Sequence, residues 1–264
     1  MISWLRNVNL DSADARVLLE HVTGLNRVAV ATRPEQLLSD EHLERLNTMV
    51  EERRRGVPVP YLTGVQEFFS RPFRVSPAVL IPRPDTEVLI EWLLDNLAAD
   101  SSLVDLGTGS GCIAVTLKKE MPGLTVHASD ISEDALTVAK ENARLLGAEI
   151  KFFSGSWLEA VPASLQLDAI ISNPPYIRPD DEHLDALQFE PQGALTDFRN
   201  GLSSIDAILH QAAERKDEHL KLIAIEHGWD QGEAVRELFA DHGFDGAATH
   251  KDYGGNDRFT AWKK

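Results

Sequence analysis

The tetrapeptide Asn173-Pro174-Pro175-Tyr176 combines residue types that can hold an –NH2 group. Two consecutive prolines fix φ and remove two N–H donors, so the backbone carbonyl groups remain as acceptors. The side-chain oxygen of Asn173 beside the Pro174 carbonyl offers two acceptors for the two hydrogens of an –NH2 group, and the Tyr176 ring can pack on a planar amide or base. In the alternative, Pro-Pro only ends a strand. The position directly after the apolar pair Ile170-Ile171 favours a site for an amide or an aromatic amine.

A second candidate is the glycine run Asp105-Leu106-Gly107-Thr108-Gly109-Ser110-Gly111, at a point where a buried strand turns into a helix. Glycines there let the backbone approach a ligand closely, and the helix N-terminus presents unpaired N–H groups to a negatively charged group. Dinucleotide-binding enzymes and S-adenosyl-L-methionine (AdoMet) enzymes share this spacing. The run reads Gly-x-Gly-x-Gly with an acid two residues before it, and Asp105 would repel a pyrophosphate but suit an ammonium-bearing ligand. AdoMet is therefore favoured.

Two further residues can complete this ligand site. Asp130 ends the next predicted strand, where an acid can accept hydrogen bonds from both ribose hydroxyls. Its alternative role is to cap the helix that begins near Ser132. The presence of the glycine run favours ribose binding over this capping role. Trp157 follows the third strand and can border an adenine ring, although simple packing also explains it.

The two motifs suit methyl transfer to nitrogen. An amide or aromatic amine has a delocalised lone pair and is a poor nucleophile towards a sulfonium methyl group. Hydrogen bonds from both N–H groups to fixed acceptors increase electron density on nitrogen and aim its lone pair, so most of the rate gain would come from orientation and preorganisation. No strong base is needed beforehand, because the N-methylated product is acidic and loses its proton afterwards.

The elements that must position these motifs alternate from residue 85 onward. The predicted strands are 102–107, 124–130, 149–155, 167–175 and 219–226, followed by a terminal β pair. The predicted helices are 85–98, 111–121, 132–147, 202–214 and 231–244. Helices of this length between strands predict a parallel sheet covered on both faces. Both motifs then lie at the carboxyl edge of that sheet.

Local changes in amino-acid composition divide the chain into three segments. Residues 1–55 are predicted to be helical, and 56–84 form a linker rich in proline and glycine. Within this linker, Phe68-Phe69 and Phe73-Arg74-Val75 are predicted to pair as a β-hairpin. Residues 85–264 form one α/β domain. The expected organisation is a small helical domain before a larger catalytic domain.

Composition excludes several classes of protein. The 264 residues are 43% hydrophobic and 26% charged, as in ordinary globular proteins. No charge-free stretch approaches ~18 residues, and the N-terminus lacks the pattern of a signal peptide, so neither a membrane span nor secretion is expected. Cys112 is the only cysteine and the nine histidines are scattered, so neither a disulfide framework nor a metal site is predicted. The expected location is the cytoplasm.

The charge balance bears on partners. Lys and Arg total 26 against 42 Asp and Glu, a net charge of −16. Duplex nucleic acid binding normally requires clustered positive charge, which counts against such a substrate. A basic protein partner would be steered towards this chain by the same field.

Taken together, these motifs give the chain a resemblance to a known family. The shared stretches are Pro60-Tyr61-Leu62-Thr63-Gly64, Glu67-Phe68, Val79-Leu80-Ile81-Pro82-Arg83-Pro84-Asp85-Thr86-Glu87, Asp105 to Gly111, Asn173 to Ile177, Phe189-Glu190-Pro191, Ala194-Leu195, Glu226-His227-Gly228, Asp252-Tyr253-Gly254 and Asp257-Arg258. They span nearly the whole chain. The sequence resembles the HemK/PrmC family, protein-(glutamine-N5) methyltransferases that modify peptide-chain release factors.

The resemblance implies an α/β class I AdoMet-dependent methyltransferase: a Rossmann-like, mainly parallel seven-stranded sheet preceded by a small helical domain and a β-hairpin linker. It implies methyl transfer from AdoMet, leaving S-adenosyl-L-homocysteine, to the glutamine side chain of the Gly-Gly-Gln motif of bacterial class-1 release factors. The implied cofactor-binding residues are Gly107, Thr108, Gly109, Ser110, Gly111, Asp130, Trp157 and Asn173. The implied substrate-binding residues are Asn173, Pro174, Pro175 and Tyr176, with Asn173, Pro174 and Tyr176 also catalytic.

The implied partner is the release factor, with the N-terminal helical domain helping to dock it. A monomer is expected, without direct contact to nucleic acid or membrane. Two other functions remain open at this point. Adenine-N6 DNA or RNA methyltransferases share the tetrapeptide, although the charge of −16 counts against them. A non-catalytic AdoMet-binding protein that acts by docking is the other alternative, and an intact acceptor tetrapeptide counts against it.

Overall fold

The computed structural model describes residues 1–33, 35–215 and 217–264. They divide into two units, Met1–Val65 and Gln66–Lys264. This division lies inside the predicted linker 56–84. No helix of the described residues is long and apolar enough to cross a membrane.

The first unit is helical. Its helices are α1 (Ile2–Asn7), α2 (Ser12–Thr23), α3 (Arg27–Thr32), α4 (Asp40–Arg54) and α5 (Val59–Thr63). Apolar residues at helical spacing give α2 one buried face, and Leu18 and Leu19 pack with Leu46 of α4 in the core. The side chain of Asp11 accepts hydrogen bonds from the first N–H groups of α2, and Ser39 does the same for α4.

A β-hairpin follows, formed by β1 (Val65–Phe68) and β2 (Arg71–Arg74), and all of it except Val65 belongs to the second unit. Phe68 and Phe73 are buried and meet edge to face, with ring centroids 6.0 Å apart. The predicted pairing placed Phe69 in a strand, and this was wrong. Phe69 and Ser70 form the turn with φ of 48° and 59°, and the Phe69 N–H donates to Glu87 Oε1 at 2.7 Å.

A seven-stranded sheet forms the centre of the second unit. Its strands are β3 (Ser102–Leu106), β4 (Thr125–Asp130), β5 (Ile150–Ser154), β6 (Ala169–Ser172), β7 (Leu222–Glu226), β8 (Ala248–Lys251) and β9 (Asp257–Lys263). The order across the sheet is β5-β4-β3-β6-β7-β9-β8. The pairs from β5 to β7 are parallel, while β9 runs antiparallel to β7 and β8. The near-continuous burial of β3, β6 and β7 is typical of strands covered on both faces.

Helices cover the two faces of this sheet. They are α6 (Asp85–Asn96), α7 (Cys112–Glu120), α8 (Glu133–Leu146), α9 (Gln192–Leu195), α10 (Ser203–Arg215) and α11 (Gly232–Asp241), with 3₁₀ helices at Trp157–Ala160 and Glu182–Leu187. Leu89 of α6 and Val115 of α7 pack on one face. Ile208 of α10 and Phe239 of α11 pack on the other. The predicted α/β class with a mainly parallel seven-stranded sheet is confirmed.

Candidate active site

The candidate site lies where the chain reverses direction across the sheet. From β3 the chain runs outward through β4 and β5, then returns to β6, which pairs with β3 on its other side. Loops leaving the carboxyl ends of β3 and β6 therefore diverge and open a crevice, where open α/β sheets bind ligands. Because Leu106 and Ser172 are register partners, Gly107 and Asn173 leave the sheet side by side.

Asp105, in β3, supports the glycine run that follows this strand through hydrogen bonds. It is buried, and its Oδ2 accepts hydrogen bonds from the Thr108 hydroxyl (2.6 Å) and the Ala114 N–H (3.3 Å). Its Oδ1 has no hydrogen-bond partner among the described residues. Burial raises the pKa of Asp105 to about 7. The sequence predicts that Asp105 faces a ligand ammonium, whereas the structure places it beneath the loop and outside the lining of the neighbouring cavity.

Several N–H groups of the glycine run are bonded within the chain. Those of Gly107 and Thr108 donate to the Ser129 carbonyl at 2.9 and 3.0 Å, and that of Gly109 donates to Asp130 Oδ2 at 2.9 Å. The sequence predicts unpaired N–H groups for a negatively charged ligand group. The structure leaves fewer of them free than predicted, which argues further against a pyrophosphate ligand.

Trp157 packs directly against the glycine run. Gly107 has a φ of 69°, and a Cβ atom at this position would lie 3.0 Å from Cζ3 of Trp157. Trp157 itself has a φ of 46°, and its carbonyl accepts a hydrogen bond from the Ser129 hydroxyl at 3.3 Å. Only glycine at position 107 lets the indole ring lie this close to the loop.

Asp130 ties the glycine run to the start of α8. Its Oδ1 accepts the Ser132 N–H at 2.9 Å, in addition to the Gly109 bond on Oδ2. The cap of α8 is Ser132, whose hydroxyl accepts the Ala135 N–H at 3.2 Å. Asp130 is therefore not the helix cap that the alternative reading allows. Asp130 also lines the adjoining cavity, and burial raises the pKa of its carboxyl group.

The first cavity has a volume of about 410 Å³. The sequence-predicted residues in its lining are Gly107, Thr108, Gly109, Ser110, Asp130, Trp157, Asn173 and Pro175. Gly111 is not part of this lining. It is the N-cap residue directly before α7 and has a φ of 80°. A Cβ there would lie 3.2 Å from Cβ of Ala139, so Gly111 allows α7 and α8 to pack closely.

A second cavity of about 430 Å³ adjoins the tetrapeptide. Pro174 and Tyr176 line it, and Asn173 lines both cavities. The Tyr176 carbonyl accepts a hydrogen bond from Gln231 Nε2 at 3.0 Å, which anchors the backbone of this segment. Burial raises the pKa of the Tyr176 hydroxyl, which hydrogen-bonds to Arg258.

The side chain of Asn173 is held by two residues that sequence reasoning did not single out. Its Nδ2 donates to Thr86 Oγ1 at 3.3 Å. Glu226, at the end of β7, lies close to both, and hydrogen-bond donation from Thr86 and Asn173 lowers the pKa of its carboxyl group, against the larger effect of burial. Glu226 is only 1% exposed, and burial raises its pKa to about 7. A glutamate that follows the apolar run Leu222-Ile223-Ala224-Ile225 was the sequence signal for this site.

Arg83 is a further residue that the sequence reasoning missed. It lines both cavities and forms an ion pair of 2.5 Å with the buried Glu190, whose other oxygen accepts the Ile81 N–H at 3.0 Å. A buried glutamate that neutralises an arginine fixes the segment before α6 along the cavity wall. Both residues lie in stretches of sequence that carry the resemblance to a known family, and this was the sequence signal that could have identified them.

Asn142 supports the glycine run from α8. It is buried, and its Nδ2 donates to the carbonyls of Ser110 (2.8 Å) and Arg74 (2.9 Å), while its Oδ1 accepts the Arg74 N–H at 2.7 Å. One side chain thus satisfies backbone groups of both the hairpin and the loop.

The arrangement can bring two ligands together at one amide side chain. A ligand in the first cavity and a ligand in the second would meet at Asn173, because that residue lines both. Within residues 1–33, 35–215 and 217–264, no group of three or more His, Cys, Asp or Glu side chains is placed to hold a metal ion.

Family models match both units. Residues 84–223 match the methyltransferase small domain, and residues 5–64 match the PrmC N-terminal domain. Full-length relatives match as well. A release factor glutamine methyltransferase of Neisseria gonorrhoeae is 46% identical over 263 residues, which cover 98% of this chain and 96% of that protein. The corresponding Escherichia coli K12 protein is 41% identical, with coverage of 98% and 94%.

Solved structures share the fold at lower identity. The hMettl16 catalytic domain, in complex with MAT2A 3'UTR hairpin 1, superposes with a TM-score of 0.62 at 16% identity, covering 85% of this chain and 81% of that one. A methyltransferase from Pyrococcus furiosus gives a TM-score of 0.56 at 15% identity, covering 81% and 98%. At these identities the likeness shows the fold alone.

Proposed function

The chain belongs to the release factor glutamine methyltransferase family, and we propose that it transfers a methyl group from AdoMet to the N5 side-chain amide of the glutamine in the Gly-Gly-Gln motif of a peptide-chain release factor. The observation that carries this proposal is the position of Asn173, a residue that lines both cavities. A methyl donor on one side and an amide on the other would meet there. The product of the cofactor is S-adenosyl-L-homocysteine.

The residues around the first cavity fit AdoMet. Asp130 faces the cavity with a carboxylate that can accept ribose hydroxyls, and Trp157 borders it with a flat indole ring. The glycine run lies so close to that ring that a Cβ at Gly107 would come within 3.0 Å of it. The carboxyl group of Asp130, which lines the cavity, also favours a positively charged ligand over a pyrophosphate. AdoMet supplies an electrophilic methyl group on a positively charged sulfur.

The tetrapeptide acts on the substrate amide. The Asn173 Oδ1 atom and the Pro174 carbonyl each accept one N–H of the glutamine side chain, which raises electron density on its nitrogen and fixes the direction of its lone pair. The Tyr176 ring packs on the planar amide, and Pro175 lines the first cavity beside it. Asn173, Pro174 and Tyr176 are thus the catalytic residues of the proposal, and orientation supplies most of the rate gain.

We expect the partner protein to present a basic docking surface. The net charge of −16 steers such a surface towards this chain and repels nucleic acid phosphates. We assign the docking role to the N-terminal helices, residues 1–55.

The test is a methyl-transfer assay with labelled AdoMet and three acceptors: a bacterial class-1 release factor, duplex DNA and RNA. The proposal expects label in the release factor. Label in DNA or RNA but not in the factor would replace it with an adenine methyltransferase. Binding of AdoMet without transfer to any acceptor would leave a non-catalytic docking protein.

A further inference from the structure

Glu226, Thr86 and Asn173 form a cluster of polar side chains at the carboxyl edge of the sheet, and Asn173 and Glu226 line the same cavity. The three come from different elements: Glu226 ends β7, Thr86 lies in the first turn of α6, and Asn173 follows β6. Thr86 and Glu226 are almost completely buried, at 2% and 1% exposure. Asn173 Nδ2 donates to Thr86 Oγ1 at 3.3 Å, and both side chains lie near enough to the Glu226 carboxylate to lower its pKa as hydrogen-bond donors. The Glu226 Oε2 atom has no partner among the described residues. Buried polar groups left unpaired are rare and concentrate at functional sites.

The orientation of the Asn173 amide decides whether the site can work. Its Nδ2 carries two donors and its Oδ1 is an acceptor. With Nδ2 turned to Thr86 and Glu226, Oδ1 is left for the substrate amide, whose N–H groups are donors. A rotation of the amide by half a turn would present Nδ2 to the substrate, so that donors would face donors.

We propose that Glu226, together with Thr86, is the positioning residue that selects the productive orientation of the Asn173 amide, and that it does so only while it is ionised. An ionised carboxylate is an acceptor alone and would repel the Asn173 Oδ1 atom in the rotated state. A protonated carboxyl carries an O–H donor that can bond to Oδ1 and stabilise the rotated state. Loss of the negative charge therefore removes the preference for the productive orientation.

The surroundings of Glu226 raise the pH at which its carboxylate becomes protonated into the range in which the enzyme can be assayed. Burial raises its pKa to about 7, and the negative charge of Asp85 acts in the same direction, while Arg258 from β9 opposes it. Tyr176 and Cys112 also face it, and the charge of Glu226 raises the pKa of both. These groups stay neutral near pH 7, since burial raises the pKa of the Cys112 thiol to about 12 and raises that of the Tyr176 hydroxyl as well.

The inference rests on the proposed function, and its first test is the pH dependence of kcat/KM for release factor methylation. In the unsubstituted chain, kcat/KM should fall about tenfold as the pH is lowered through the region of about 7, the pKa of Glu226 in the free protein. The amide of Glu226→Gln can both donate and accept, so this variant should have a kcat/KM about tenfold lower at pH 8. Its kcat/KM should no longer fall as the pH is lowered, which means that the acid limb of the pH profile disappears. Glu226→Asp keeps a charge and should keep an acid limb.

A purely structural role for Glu226 would lower the rate of Glu226→Gln but leave the acid limb in place, and that result overturns the proposal. The limb would then belong to another group, such as Asp105. A Glu226→Gln variant with an unchanged rate and profile overturns it as well. If the unsubstituted chain methylates no release factor, the proposed function fails first, and the two failures are thereby distinguished.

Thr86 supplies an independent test. Thr86→Val removes the hydroxyl at nearly constant volume and should reduce kcat about tenfold, and Thr86→Ser should recover most of that loss because it restores the hydroxyl. Binding of S-adenosyl-L-homocysteine, measured by calorimetry, and the thermal unfolding temperature report whether each variant is folded. Equal activities of Thr86→Val and Thr86→Ser would exclude the hydroxyl from the cluster's function.

Discussion

The contact between Gly107 and Trp157 gives a sharp prediction for Gly107→Ala. Gly107 has a φ of 69°, where a non-glycine residue costs about 1–2 kcal/mol. The new Cβ would also lie 3.0 Å from Cζ3 of Trp157, closer than ordinary carbon contacts of roughly 3.5–4.0 Å. The indole ring cannot easily move away from the new Cβ on its core side, because the Trp157 carbonyl accepts a hydrogen bond from Ser129 and the ring packs against the core of the unit. We expect the ring to be displaced towards the cavity and to narrow the site for AdoMet.

Gly147→Ala is the matched control. Gly147 ends α8 with a φ of 65°, and a Cβ there would meet nothing closer than Lys119 Nζ at 3.9 Å. It carries the same conformational cost without a contact near the cavity. Both variants should therefore lose about 1–2 kcal/mol of stability, or roughly 2–4 °C in Tm for each kcal/mol. Only Gly107→Ala should also weaken binding of the cofactor.

The assay is calorimetric titration with S-adenosyl-L-homocysteine, alongside thermal unfolding. We expect Gly107→Ala to raise Kd about tenfold or more, equivalent to about 1.4 kcal/mol, while Gly147→Ala leaves Kd unchanged. Unchanged affinity in Gly107→Ala would refute the assignment of Trp157 and the glycine run to the cofactor site. Equal weakening in both variants would show that the loss reflects stability alone.

Three other substitutions test further residues of the second unit. Asn173→Ala should lower kcat by about 10²-fold or more, by analogy with the loss of one preorganised hydrogen-bonding group, while calorimetry still detects the cofactor; an unchanged kcat would remove Asn173 from the mechanism. Asp130→Asn removes the carboxylate that we propose accepts ribose hydroxyls, and it should raise Kd for S-adenosyl-L-homocysteine about tenfold with a smaller effect on kcat, whereas a change in kcat alone would argue against the ribose role. His127 is buried with both ring nitrogens unpaired among the described residues, and burial lowers its pKa, so the folded chain excludes a proton that the unfolded chain takes up below about pH 6.5. His127→Leu should therefore raise the free energy of unfolding by about 1 kcal/mol or more and reduce its decline from pH 7 to pH 5 in urea titrations; an equally steep decline would assign the pH dependence to other groups.

Local sequence patterns predicted most of the elements. The helix predicted at 132–147 is α8, Glu133–Leu146, because its apolar face, its Ser132 cap and its Gly147 end are all local signals. The strand predicted at 167–175 is shorter, Ala169–Ser172, since the two prolines at 174 and 175 cannot continue the sheet ladder. The turn at Phe69-Ser70 carries no glycine or asparagine, so nothing local indicated its positive φ values.

The supporting residues of the site could not be found in the same way. Asn142 and Arg74 are 68 residues apart, and Asn173 and Thr86 are 87 apart, so their hydrogen bonds exist only once the sheet and helices have packed. The same holds for Asp105, where the pattern suggested a ligand contact and burial made it a support of the loop. Sequence placed the motifs at the right edge of the sheet, whereas the contacts that orient them depend on tertiary structure.

The central claim is that the site around Asn173 methylates one glutamine amide of a release factor. Peptide mapping by mass spectrometry, after incubation of the factor with this chain and AdoMet, tests it most directly. We expect a single methyl group on the glutamine of the Gly-Gly-Gln motif, and none on a Gly-Gly-Ala version of the factor. A methyl group on another residue, or equal methylation of the Gly-Gly-Ala factor, would contradict it.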